Sequence, residues 1–97
     1  MEYKNEKLGC SFELPDRPTV RQQLAFYSTL RQWKEDPPEV QCWEAGKKIL
    51  THWECAALPD PLTSLDEMTN PTQVRVITWA GWTLFGHFNK LEDLDPN

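Results

Sequence analysis

The chain has no cluster of basic residues and no apolar run of membrane-spanning length. Ten Lys and Arg stand against 15 Asp and Glu, leaving a net charge of −5. An acidic chain with scattered cations does not attract phosphate backbones, so nucleic-acid binding is not expected. No uninterrupted apolar stretch approaches the ~20 residues needed to cross a bilayer, and no charged-then-apolar leader opens the sequence. These absences predict a soluble, cytoplasmic protein with no membrane partner.

Glycine and cysteine are also scarce. There is no glycine-rich elbow that would present a nucleophile. The three cysteines, Cys10, Cys42 and Cys55, are too few for a disulfide framework and fit reduced thiols in a cytoplasm. Cys42 and Cys55, read as sharing one helix, would sit ~20 Å apart and could not pair. A chain of 97 residues is one domain with room for one modest core. What it has in abundance is tryptophan: five residues, each able to remove a large apolar area from water.

The periodicity predicts an all-α fold, a small three-helix bundle with one short extra turn and an extended N-terminal arm. The arm covers residues 1–18, where Cys10 to Leu14 read as a short strand or extended segment stopped by Pro15 and Pro18. Thr19 and Gln22 form a capping box that opens a first helix over 19–33, with Leu24, Tyr27 and Leu30 on one stripe and Phe26 and Trp33 on its flank. Asp36, Pro37 and Glu39 suggest a second start, and Cys42, Trp43, Ile49, Leu50, Trp53, Ala56 and Ala57 gather on one side of a second helix over 37–57. Gly46 lies inside that apolar sector, which suggests that a neighbouring group comes close. Residues 58–70 form an irregular connection in which Ser64 caps a turn carrying Leu65 and Met68. Asn70, Pro71 and Gln73 then start a third helix over 71–91, followed by an acidic tail over 92–97.

The third helix is the most apolar part of the chain. Val74, Ile77, Gly81, Leu84, Phe85, Phe88 and Leu91 project to one side, and Trp79 and Trp82 to nearly the opposite one, with Arg75 and Gly86 beside them. Helix or hairpin both fit residues 73–88 by alternation alone, and the start signal decides for helix. Two apolar faces mean a helix that is central or covered by a partner. Trp79 and Trp82 are therefore either core or interface anchors, since tryptophan is enriched among residues that carry binding energy. Arg75, Trp79, Trp82 and Gly86 are the candidate partner-binding residues.

Chemistry finds little support. His52 and Cys55 have helical spacing, but Cys42 projects to the other side and no second ligand pair exists, so no metal or cofactor is expected. Cys55 or Ser28 with His87 lacks the local geometry of an activated nucleophile, and Asp66 with Glu67 reads as helix-start charge. The chain is not expected to be an enzyme.

Three segments, FELPDRPTVRQQLAFYS, WEAGKKILTHWECAALPDPLTSLDEMT and VITWAGWTLFGHFNKLEDLDPN, resemble small proteins of bacteriophage and prophage tail-gene clusters, the tail assembly chaperones. The resemblance implies a small, mostly helical, non-enzymatic protein in the host-cell cytoplasm. Its partner would be the tail tape measure protein or the tail tube protein, with a homo-oligomer possible. Two alternatives remain. One is an inhibitor that docks on a host protein and presents Glu92, Asp93 and Asp95 as a nucleic-acid mimic. The other is a metal or redox enzyme.

Overall fold

A computed structural model describes residues 1–94, with the side chains of 90–94 outside the described part. The order is β1 (Glu2–Asn5), β2 (Cys10–Glu13), α1 (Val20–Gln32), α2 (Pro38–Gly46), β3 (Thr51–Cys55), one 3₁₀ turn (Leu65–Glu67) and α3 (Pro71–Leu94). The fold is α+β, and the all-α expectation is corrected by a three-stranded antiparallel sheet in the order β1-β2-β3. The acidic tail expected over 92–97 lies outside the described side chains.

The first 18 residues are not a loose arm. β1 and β2 form a hairpin with Tyr3 opposite Phe12 and Asn5 opposite Cys10. Its turn closes locally: the Asn5 side-chain oxygen accepts from Leu8 N at 3.1 Å, and Gly9 takes the left-handed conformation (φ 65°), which glycine reaches at little cost. Along β2 the side chains alternate, with Cys10 and Phe12 buried and Ser11 and Glu13 turned outward, the period of a half-buried strand.

The second helix stops at Gly46, a whole strand short of the expected end at Ala57. Residues 47–50 turn the chain back, and Thr51–Cys55 pairs with β2, Cys10 facing Cys55 and Ser11 facing Glu54. The sequence Thr-His-Trp-Glu-Cys is rich in strand formers and alternates polar with apolar from His52 onward, so it satisfies a period of two as well as the helical one. His52 (φ 53°) sits where the register slips between Ser11 and Glu13, a bulge. Cys55 therefore points at Cys10 instead of sharing a helix with Cys42. The Cα atoms of Cys10 and Cys55 are 4.2 Å apart and their sulfurs are bonded, which corrects the expectation of three reduced thiols. Only Cys42 is free, and it is buried.

Local capping signals appear where the sequence puts them. Thr19 Oγ1 accepts from Gln22 N at 3.1 Å while Gln22 Oε1 accepts from Thr19 N at 2.9 Å. Asn70 and Gln73 repeat the exchange at the start of α3, at 2.9 Å to Thr72 N and 3.1 Å from Asn70 N. At α2 the cap is Pro37 with no side-chain hydrogen bond, so Asp36 does not cap it. On α1 the inward residue is Phe26, whereas Leu24 is exposed.

The core lies between the sheet and the helices. Phe12 from β2 packs on Trp53 and Trp79, with ring centroids 5.7 and 5.3 Å away. Trp43 of α2 has no exposed surface and meets Trp53 at 5.4 Å. Phe26 of α1 stacks on Phe88 of α3 at 3.9 Å. The three pairs at 5.3–5.7 Å add roughly 0.5–1.5 kcal/mol each beyond their buried area.

Candidate functional site

The site is built on α3, and its inward face decides what is left outside. Val76, Ile77, Ala80, Gly81, Leu84, His87 and Phe88 are buried, a stripe at helical spacing. It departs from the expected stripe: Val76, Ala80 and His87 are inside, while Val74 and Phe85 are 67% and 42% exposed. The rotation has a steric cause. A Cβ on Gly81 would overlap the Glu39 carbonyl oxygen and come within 2.9 Å of Glu39 Cα, so α2 crosses α3 backbone against helix at this point. This close approach requires glycine at position 81, and with Gly81 facing α2 the bulky Phe85 is turned away.

Gly46 has a related reason. A Cβ there would come within 2.5 Å of a Leu84 methyl, so the neighbour foreseen in the sequence is a side chain of α3. Gly86 is different: nothing lies within 4 Å of the position its Cβ would take. A glycine in a helix interior costs about 1 kcal/mol against alanine, and among the described residues no close approach accounts for it. Gly86→Ala is therefore expected to raise the unfolding free energy by about 0.5–1 kcal/mol in a urea titration; a loss of stability would show that the position is crowded.

The four candidate residues share the outward half of α3 but not one environment. Trp82 is 47% exposed and meets the edge of the Phe85 ring, centroid to centroid at 5.7 Å. Trp79 is half buried against Phe12. Arg75 is exposed and belongs to a cleft of about 480 Å³ between the β1–β2 turn and α3, with Leu8, Val74 and Trp79 as apolar lining and Lys7 on the other rim. Among the described residues neither Lys7 nor Arg75 has an ion-pair partner. Val74, Trp82 and Phe85 thus form an exposed apolar stripe with one cation at its beginning and Gly86 just past its end. The sequence reading missed Val74 and Phe85 because it assigned both to the core.

The other reactive side chains are separated or committed elsewhere. His87 is buried and bridges two elements: its Nε2 lies 2.9 Å from the Pro15 carbonyl and its Nδ1 2.8 Å from the Tyr3 hydroxyl. A carbonyl can only accept, so Nε2 carries the proton and, in the neutral ring, Nδ1 accepts from Tyr3. This ties the hairpin to α3. Burial, and then the nearby Asp16 carboxylate, raise the Tyr3 pKa above its ordinary value. His52 is on the outer face of the sheet, paired with Glu13 at 2.7 Å, and it does not meet Cys55, which faces the core. Burial, helped by the Glu39 charge, pushes the Cys42 thiol up to about 11, the opposite of an activated nucleophile. Among the described residues no three His, Cys, Asp or Glu side chains are grouped to hold a metal ion, and no helix is long and apolar enough to cross a membrane. Comparison with known protein families, curated proteins and solved structures finds no match to this chain.

Proposed function

We propose that the chain is a non-enzymatic assembly chaperone for phage tail components, which holds the tape measure protein through the outward face of α3. The observation that supports this reading is the exposed stripe of Val74, Trp82 and Phe85 on a helix whose opposite side already forms the core. Large exposed apolar side chains grouped on one face mark an interaction surface. A helical partner can lay its own apolar face along such a stripe, anchored by tryptophan. Binding of this kind needs no cofactor, and it can be released when a tighter assembly forms.

Co-expression of the chain with the tape measure protein of the same tail-gene cluster tests the proposal. The expected result is a soluble complex in place of aggregated tape measure protein, lost when Trp82→Ala and Phe85→Ala are combined. A tape measure protein that is equally insoluble with and without this chain removes the basis of the reading.

A further inference from the structure

We propose that the cleft between the β1–β2 turn and the start of α3 receives a carboxylate and the large apolar side chain beside it, both carried by a helical segment of the tail partner. This rests on the chaperone reading and names the partner chemistry that the reading leaves open.

The cleft, about 480 Å³ in volume, is of a size that takes up a ligand group. Leu8, Val74 and Trp79 line it with hydrocarbon, with Lys7 of the hairpin turn on one rim and Arg75 of α3 on the other. Neither Asp nor Glu is among the described residues that line it. Both cations are exposed, and neither has an ion-pair partner among the described residues. The other polar side chains are engaged locally: the Asn5 oxygen accepts from Leu8 N, and the Thr78 hydroxyl donates to the Val74 carbonyl at 2.8 Å. What the cleft offers an incoming group is therefore an ammonium and a guanidinium beside apolar surface. Both are donors only, and a charged donor pairs most strongly with an anion. In a chain of net charge −5, two unpaired cations at one place fix where the carboxylate of a partner can rest.

The apolar lining selects among anions. A small inorganic anion would leave Leu8 and Trp79 in water, whereas a carboxylate next to a side chain such as Leu or Phe covers them. Continuity selects a protein segment as its carrier. Val74 belongs to the wall of the cleft and is also the first residue of the exposed stripe that goes on through Trp82 and Phe85. One partner helix lying along α3 reaches both, with its acidic residue at Arg75 and its apolar face on Trp82.

Isothermal titration of a soluble helical segment of the tape measure protein into the full chain, at low and at high salt, reads the site. The expected result is binding that K7E and R75E each weaken about fivefold at low salt, the difference fading as salt screens it. K34E, which reverses an exposed cation outside the cleft, is expected to leave the affinity unchanged. Changing the acidic residues of the segment to Lys one at a time is expected to find one position that restores binding to R75E. Circular dichroism of each variant checks that the fold is kept. A segment that binds through Trp82 and Phe85 but is indifferent to K7E and R75E overturns the cleft assignment alone and leaves the chaperone reading standing. Equal weakening by K34E, or no position that restores binding to R75E, also overturns the assignment. A segment that does not bind the wild-type chain overturns both.

Discussion

Gly81→Ala is expected to lower the unfolding free energy by about 3 kcal/mol. The added Cβ would meet the Glu39 carbonyl oxygen and lie 2.8 Å from its carbon. Backbone cannot swing aside as a side chain can, so α2 and α3 must separate along their contact. Alanine's better helix propensity returns no more than about 1 kcal/mol. The two other helical glycines are internal controls. Gly46→Ala presses on the end of the flexible Leu84 side chain and is expected to cost about 1 kcal/mol, while Gly86→Ala gains a little. Urea titrations of the three variants give the order Gly86→Ala, wild type, Gly46→Ala, Gly81→Ala from most to least stable. If Gly81→Ala is as stable as Gly46→Ala, the backbone crossing is not as close as described.

The second large effect concerns Cys10 and Cys55. Their bond joins positions separated by 45 in sequence, closing a loop that contains α1 and α2. The chain-entropy treatment assigns about 4 kcal/mol to a loop of that length, a large part of the ~5–15 kcal/mol that holds a domain together. The urea midpoint of the oxidised protein is therefore expected to fall steeply when the same chain is held reduced. Cys42, buried and unbonded, should become available to alkylation only on unfolding. Equal midpoints in the two redox states would mean that the bond contributes nothing to stability.

The parts of the fold that were legible in the sequence are the ones encoded within a few residues. Thr19 with Gln22, and Asn70 with Gln73, fix helix starts by hydrogen bonds over three positions, and those starts were readable. The 3₁₀ turn after Ser64 is of the same kind. The sheet was not legible, because its strands are justified by distant partners. Glu2–Asn5 is a polar tetrad with no apolar alternation of its own, and Tyr3 reaches His87, 84 positions away. Thr51–Cys55 carried a pattern compatible with helix or strand, and the competing strand β2 decided between them.

The outward face of α3 was half legible. Two apolar faces on the third helix were visible, and Arg75, Trp79, Trp82 and Gly86 were named from them. Their boundary was misplaced because the helical projection put Val74 and Phe85 on the inward side with Ile77, Gly81 and Leu84. At the crossing with α2 the Glu39 backbone lies against Gly81, where any side chain would overlap it. That contact rotates the helix, and it leaves Val74 and Phe85 in solvent beside Trp82.

The central claim is that α3 holds the core with one face and a protein partner with the other. Isothermal titration of a soluble helical segment of the tape measure protein into the wild-type chain and into a Trp82→Ala, Phe85→Ala variant tests it most directly. The account predicts binding that weakens by about 2–4 kcal/mol in the variant, as loss of central aromatic anchors does, while the variant's urea midpoint stays near wild type. Equal affinity for the two proteins would contradict it.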